Sequence, residues 1–174
     1  VLDTVLSCYV GYLPGDEIKQ GNIRPGTMID MEGAIWFSDI RKYSTHSQNT
    51  EAMELASKLN AYYDIVVNVI YAHDGEILKF IGDAIMVEFG SPLPVADHAI
   101  RGVRAALALR AVAEEFANWM QQRFPGRDLP KFAVGIGLHS GEAVIGNIGS
   151  PARMECTAIG DTVNLASRLE GMTK

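Results

Sequence analysis

Apolar and polar residues alternate along 29–38. Ile29, Met31, Gly33, Ile35 and Phe37 fall on one side, and Asp30, Glu32, Ala34, Trp36 and Ser38 on the other. A period of two predicts a strand over 29–38, with Asp39 at its end on the side of Ile35 and Phe37. The period then lengthens. Met53, Ala56, Leu59, Tyr63, Val66, Val67 and Ile70 recur at helical spacing and predict a helix over 50–71. His73-Asp74-Gly75 reads as a turn, followed by short strands over 76–81 and 84–89 with Gly82-Asp83 between them as a hairpin loop. Pro92 and Pro94 open a second predicted helix, running to about Gln121 with Ala96, Ile100, Val103, Leu107, Ala111 and Phe116 as its buried stripe.

Residues 132–139 alternate in size rather than polarity. Phe132, Val134, Ile136 and Leu138 are large, while Ala133, Gly135 and Gly137 are small. One face packs in a core and the other lets something approach the backbone. The run 141–146 reads as a turn and a further strand, then a strand over 156–159 and a helix from Thr162 to about Glu170. The order β-α-β-β-α-β, then more β and α, predicts an α+β fold: a ferredoxin-like split βαβ core with extra strands and helices on a face. Residues 1–26, punctuated by Gly11, Pro14-Gly15 and Pro25-Gly26, read as a leader or arm, and 27–174 as one domain. The chain lacks an initial Met and stops just after the last predicted helix, so both ends read as cut from something longer.

Composition narrows the function classes. The 174 residues are 48% hydrophobic, enough for a sizeable core. A net charge of -6 argues against a general nucleic-acid binder. Two cysteines, Cys8 and Cys156, do not make a disulfide scaffold and suit a reduced compartment. No apolar run reaches bilayer length, so no direct membrane insertion is expected.

Two aspartates at predicted strand ends, Asp39 and Asp83, are the first candidates for chemistry. Each alone is an ordinary turn or cap residue. If the hairpin lies beside the first strand they meet at one sheet edge, where two carboxylates repel unless a cation sits between them. Mg²⁺ and Mn²⁺ favour such oxygen ligands, and the Ile40 carbonyl would add another. The amides of Ile40, Arg41, Lys42, Tyr43 and Ser44 are candidates to cradle phosphate oxygens. The Lys42 side chain either contacts phosphate or is simply solvated. Asn164 and Arg168 stand at i and i+4 on one helix face, with Leu165 and Leu169 as the expected apolar anchor beside them. They are either surface residues or a ribose ligand and a charge for a transferring phosphoryl group. The four histidines are scattered and suggest no zinc site.

Four separated segments resemble the class III nucleotidyl cyclase catalytic domain, in family order. They are Trp36-Phe37-Ser38-Asp39-Ile40-Arg41, Lys79-Phe80-Ile81-Gly82-Asp83-Ala84-Ile85-Met86, Gly135-Ile136-Gly137-Leu138-His139-Ser140-Gly141, and the run 159–170 from Ile159-Gly160-Asp161 through Asn164 to Arg168-Leu169-Glu170. The resemblance implies Asp39 and Asp83 as ligands of two divalent metal ions, and Lys79 and Thr157 as readers of the base. It implies Asn164 and Arg168 as the pair that orients ribose and stabilises the transition state. A Lys at position 79 goes with adenine. The implied activity is conversion of ATP to cyclic AMP and pyrophosphate. Guanylate cyclase and a catalytically silent nucleotide-binding domain are the alternatives. The resemblance also implies a homodimer with interfacial sites, while the cut look of both ends and the arm-like leader predict the output domain of a longer signalling protein, with an upstream sensor domain and facing the cytoplasm where ATP is available. The turn Arg41-Lys42-Tyr43-Ser44 departs from the family pattern, and the chain ends before the family's last strands with their phosphate-binding Lys or Arg.

Overall fold

The computed structural model describes residues 19–20, 28–91, 94–125, 130–150 and 152–173. The predicted leader, apart from residues 19–20, and Pro92 lie outside the described residues. Strand β1 (Met28–Ile40) is followed by α1 (Tyr43–Gln48), α2 (Ala52–Tyr71), β2 (Glu76–Ile81) and β3 (Ala84–Phe89). Then come α3 (His98–Arg123), β4 (Val134–Ser150), β5 (Arg153–Ile159) and α4 (Asp161–Gly171). The strands form one antiparallel sheet in the order β2-β3-β1-β4-β5. The expected split βαβ core is present, with β5 added beyond β4.

Helices cover both faces of this sheet, not one as the pattern suggested. Strand β1 shows why. Ala34, Trp36 and Ile40 pack with residues of α2 and α3, while Met31 and Ile35 pack on the other side with Ala166 of α4. The α2/α3 core is rich in aromatic rings, with Phe132 edge-on to Tyr62 at 5.1 Å and to Phe116 at 4.8 Å between ring centres.

The expected helix faces hold only in part: Val66, Ile70 and Phe116 are buried as their spacing predicts, and other positions are not. In α2 the buried positions are Lys58, Tyr62, Val66 and Ile70, whereas Met53 is 78% exposed. In α3 they are Gly102, Ala105, Leu109, Ala113, Phe116, Ala117 and Met120, while Ile100, Val103 and Leu107 face solvent. Helix α3 is apolar on more than one side. Its small residues lie toward the sheet because only they allow close approach: a Cβ on Gly102 would meet Leu138. Helix α3 begins at His98, after both prolines. There His98 bonds to the Val95 carbonyl and to Ser140 Oγ, and Arg101 pairs with Asp97 and Asp74.

The predicted turn at 141–146 does not form. β4 continues through it, with Gly141 opposite Gly33 and Glu142 opposite Glu32. Gly141 accommodates Thr162, whose hydroxyl donates to the Glu142 carbonyl at 2.6 Å. The small face of β4 receives protein rather than ligand. A Cβ on Gly137 would collide with the α4 backbone at Ala166 and Glu170, and one on Gly135 with the Arg41 guanidinium.

One buried acid sits in this framework. Glu88 of β3 is fully buried, its Oε2 accepting from the Ser91 N–H at 3.1 Å and its Oε1 lacking a hydrogen-bond partner. Burial pushes its pKa up to about 7, and Glu76 on β2 adds repulsion. Cys156 of β5 also lies close enough to feel both carboxyls. The folded state therefore holds a proton that the unfolded chain releases. This group's contribution is complete below about pH 4.5 and is lost as pH rises toward 7. Glu88→Gln should stabilise the chain on the order of 2–3 kcal/mol at pH 8, roughly 5–10 °C in Tm, with the gain shrinking toward pH 5. His46, with its pKa lowered by burial and then by Lys58, acts with opposite sign in both proteins and cancels in the difference. Thermal melts of the two proteins from pH 5 to 8.5 check this, and a pH-independent difference would refute it.

Candidate functional site

The hairpin loop between β2 and β3 has two residues, Gly82 and Asp83, with Ile81 opposite Ala84. Such a loop requires an unusual backbone at its first residue, and Gly82 has φ +64°. Because β3 pairs with β1 up to Ser38 opposite Ile85, the loop lies beside the end of β1. The Ile40 N–H donates to Asp83 Oδ2 at 3.2 Å. The Asp83 carboxyl is pushed up to about 7, first by burial and then by hydrogen bonding to, and repulsion from, Asp39. The two aspartates thus meet at one sheet edge. Tyr63 of α2 holds the loop from behind, its hydroxyl donating to the Gly82 carbonyl at 2.9 Å. Burial and the nearby Asp83 push the Tyr63 hydroxyl up to about 12, so it remains a donor at neutral pH.

A carboxyl raised by a neighbouring carboxyl is relieved by a cation, and the donor set is hard oxygen, as Mg²⁺ or Mn²⁺ prefers. Among the described residues no group of three or more His, Cys, Asp or Glu side chains is placed to hold a metal. The fit is therefore to divalent ions that share the two carboxylates and are completed by a main-chain oxygen such as that of Ile40, by water and by a ligand.

The segment after Asp39 has less free backbone than its sequence suggested. The Ile40 amide is used by Asp83, and the Arg41 amide donates to the Ala133 carbonyl at 2.8 Å. Lys42, in the left-handed region at φ 54°, then starts the short helix α1. This leaves the amides of Lys42, Tyr43 and Ser44 as phosphate-binding candidates. Tyr43 packs against the α2/α3 core, and Lys42 and Ser44 are exposed. The Arg41 side chain turns away over Gly135. It pairs with the Glu170 carboxylate at 2.8 Å and also donates to the Glu170 carbonyl and Thr173 hydroxyl. This link from the Asp39 segment to the C-terminal end of α4 joins residues 129 positions apart. It has no local signature.

Lys79 is placed by an irregularity. A bulge after Ile77 sets Lys79 opposite Met86, where regular pairing would have set Leu78. Ile77 packs toward the α2/α3 core, whereas Met86 and Leu78 belong to the α4-side core. Strict alternation would put Lys79 beside Ile77, and the bulge re-aims it. The sheet also curls until its edge strands β2 and β5 approach, and Lys79 Nζ pairs with Glu155 at 3.2 Å. Thr157, two residues further along β5, shares the Glu155 side of that strand. The structure thus brings Lys79 and Thr157 to one seam. Glu155 was missed in the sequence, because nothing marks a partner on the opposite edge of a sheet.

Asn164 and Arg168 are exposed. Thr162, Ala166 and Glu170 anchor α4, and Leu165, expected to do so, is 40% exposed. Two residues along a helix turn the side chain roughly 160° the other way, so Asn164 and Arg168 project away from the sheet that Ala166 faces. No hydrogen bond or ion pair among the described residues joins either of them to Asp83.

The profile of the adenylate and guanylate cyclase catalytic domain matches residues 31–174. Adenylate cyclase 1 of Rhizobium meliloti is 41% identical over 157 residues, covering 90% of this chain and 23% of that protein. The chain thus spans about a quarter of that relative's length. Among solved structures, the adenylyl cyclase CyaB from P. aeruginosa has a TM-score of 0.77 at 33% identity, covering 83% of this chain and 74% of that one. The guanylyl cyclase Cya2 has a TM-score of 0.74 at 32% identity, covering 86% and 73%. With its profile match extending over most of its length, the chain belongs to the family of adenylate and guanylate cyclase catalytic domains.

Proposed function

We propose that this domain converts ATP to 3′,5′-cyclic AMP and pyrophosphate, in a homodimer whose sites lie between the two chains. The observation that carries the reading is the Asp39–Asp83 pair, two carboxyls held together at a sheet edge with Asp83 raised to about 7. Asp39, Asp83 and the Ile40 carbonyl would hold two divalent ions, Mg²⁺ or Mn²⁺. When bound, these supply Lewis-acid stabilisation of triphosphate charge and acidify the ribose 3′-hydroxyl. The amides of Lys42, Tyr43 and Ser44 bind phosphate oxygens. Lys79 donates its ammonium proton to adenine N1, and the Thr157 hydroxyl contacts the same base. Asn164 orients the ribose, and Arg168 meets the charge developing on the α-phosphate as the 3′-oxygen attacks and pyrophosphate leaves. Positioning supplies much of the rate, because nucleophile and electrophile belong to one molecule.

The outward direction of Asn164 and Arg168 supports the shared site. A second copy would present its own carboxylate pair to them. In this arrangement one chain supplies Asp39 and Asp83, and its partner supplies Lys79, Thr157, Asn164 and Arg168. The domain acts as the output of a longer signalling protein with an upstream sensor, on the cytoplasmic side where ATP is available. Among the described residues, no helix is long and apolar enough to cross a membrane.

The Lys79 contact favours ATP over GTP, because guanine carries an N–H where adenine has an acceptor. A preference of at least about tenfold in kcat/KM is expected, the worth of one well-placed hydrogen bond. Equal turnover of the two nucleotides with Mn²⁺ would refute the assignment. Absence of turnover of either by a verified dimer would favour the silent-domain reading.

Asp39→Ala and Asp83→Ala should each lower kcat on the order of 100-fold or more, since each removes an anionic ligand. Circular dichroism should show the fold retained. Near-normal Mg²⁺-dependent activity in either variant would overturn the paired-metal assignment.

Sharing across chains is checked by mixing Asp39→Ala with Arg168→Ala protein. Random exchange makes half the dimers mixed, each with one intact site, so about a quarter of wild-type activity should return. No recovery despite demonstrated heterodimers would place each site within one chain.

A further inference from the structure

Lys79 has a partner at the β2–β5 seam that no local motif marks. Its Nζ donates to Glu155 Oε2 at 3.2 Å, across the approach of the two edge strands. The pair sits on the rim of the sheet, with the Lys79 side chain 22% exposed and that of Glu155 64%. Thr157 is half-buried two residues along the same side of β5. These polar side chains differ in character. Lys79 can only donate, an ionised Glu155 can only accept, and the Thr157 hydroxyl can do either.

We propose that Glu155 reads the base alongside Lys79, accepting a proton of the adenine 6-amino group while Lys79 donates to N1. This rests on the adenylate cyclase reading of the same site and extends it to a residue outside that reading. N1 and the 6-amino group are neighbours on one edge of adenine, an acceptor beside a donor. Lys79 and Glu155 offer the complementary order, a donor beside an acceptor 3.2 Å away. Guanine presents the reverse edge, with an N–H at position 1 and a carbonyl oxygen at position 6. It sets N–H against ammonium and oxygen against carboxylate, and leaves both protein groups unpaired. Thr157 does not make this distinction, since a hydroxyl serves an amino group and a carbonyl oxygen equally well. Selection at position 6 needs a group that only accepts, and Glu155 supplies it at the seam.

The exposure of the pair fits this role. Without a base, Lys79 and Glu155 satisfy each other. An exposed ion pair contributes little to stability, so it opens at small cost when the base arrives. The carboxylate has two oxygens to offer, of which the Lys79 bond engages Oε2. A hydrogen bond to a charged acceptor is also stronger than one to a neutral hydroxyl, which gives Glu155 the larger share of discrimination at position 6.

The test removes one group from the substrate and one from the protein. Purine riboside 5′-triphosphate keeps the N1 of adenine and lacks the 6-amino group. With the full chain and Mn²⁺, kcat/KM should be at least about tenfold lower for this analogue than for ATP. Glu155→Ala should lower kcat/KM for ATP by a similar factor and turn over both nucleotides alike, since the amino group then has lost its acceptor. Glu155→Gln should raise kcat/KM for GTP relative to ATP severalfold, because its amide can also donate to guanine O6. Thermal melts should show both variants folded, as the side chain is exposed. If Glu155 only orients Lys79, Glu155→Ala lowers ATP and analogue equally, and that unchanged ratio overturns the assignment. So does an unchanged GTP-to-ATP ratio in Glu155→Gln. Either of these results beside normal ATP turnover by the original protein sinks the role of Glu155 alone, whereas no turnover of ATP overturns the cyclase reading with it.

Discussion

Helix α4 can lie against the sheet only because β4 presents no side chain at Gly137. Backbone meets backbone there, and any Cβ would strike α4 at Ala166 and Glu170. That contact sets how close α4 comes and which of its faces is used. Ala166 goes inward, so Asn164 and Arg168, roughly 160° away, must go outward. It also brings the C-terminal end of α4 within reach of Arg41, whose guanidinium fills the space above Gly135 and pairs with Glu170. The end of β1 that carries Asp39 and the helix that carries Arg168 are thus coupled in one chain while facing different ways.

Two other elements tighten the aspartate edge. Tyr63 reaches from α2 to the hairpin loop, and the Ile40 N–H reaches across to Asp83. Both fix main chain and carboxylate before any ligand arrives, and pre-positioned groups need no reorganisation at the moment of reaction. The same edge stores repulsion between two carboxyls, visible as the raised pKa of Asp83. Such a site costs stability when empty and gains affinity for cations in return.

The Lys79 seam works differently. It depends on sheet curl and on one bulge, and its Glu155 partner is 64% exposed. An exposed ion pair contributes little to stability. It can therefore be exchanged for another partner at small cost, as the base contact proposed for Lys79 would require.

Much of this was legible in the chain. Period-two alternation located β1, the Gly82-Asp83 loop announced the hairpin, and the small face of β4 announced a close backbone approach. These are local properties, written in a few neighbouring residues. The chemistry-bearing residues were legible as types and spacings too, since Asp39, Asp83, Asn164 and Arg168 stand in recognisable motifs. What the alternation could not say was which apolar side of α2 or α3 faces inward. Both helices carry more than one apolar stripe, and the choice falls to whichever fits the sheet closely. Nor could it distinguish a turn at Gly141 from a strand running on, because the deciding partners, Gly33 and Thr162, are more than 20 residues away in the chain. The Arg41–Glu170 pair and the approach of Lys79 to Glu155 share that character. Each is a contact between segments remote in sequence, whose geometry exists only once the sheet has curled and the helices have packed on both its faces.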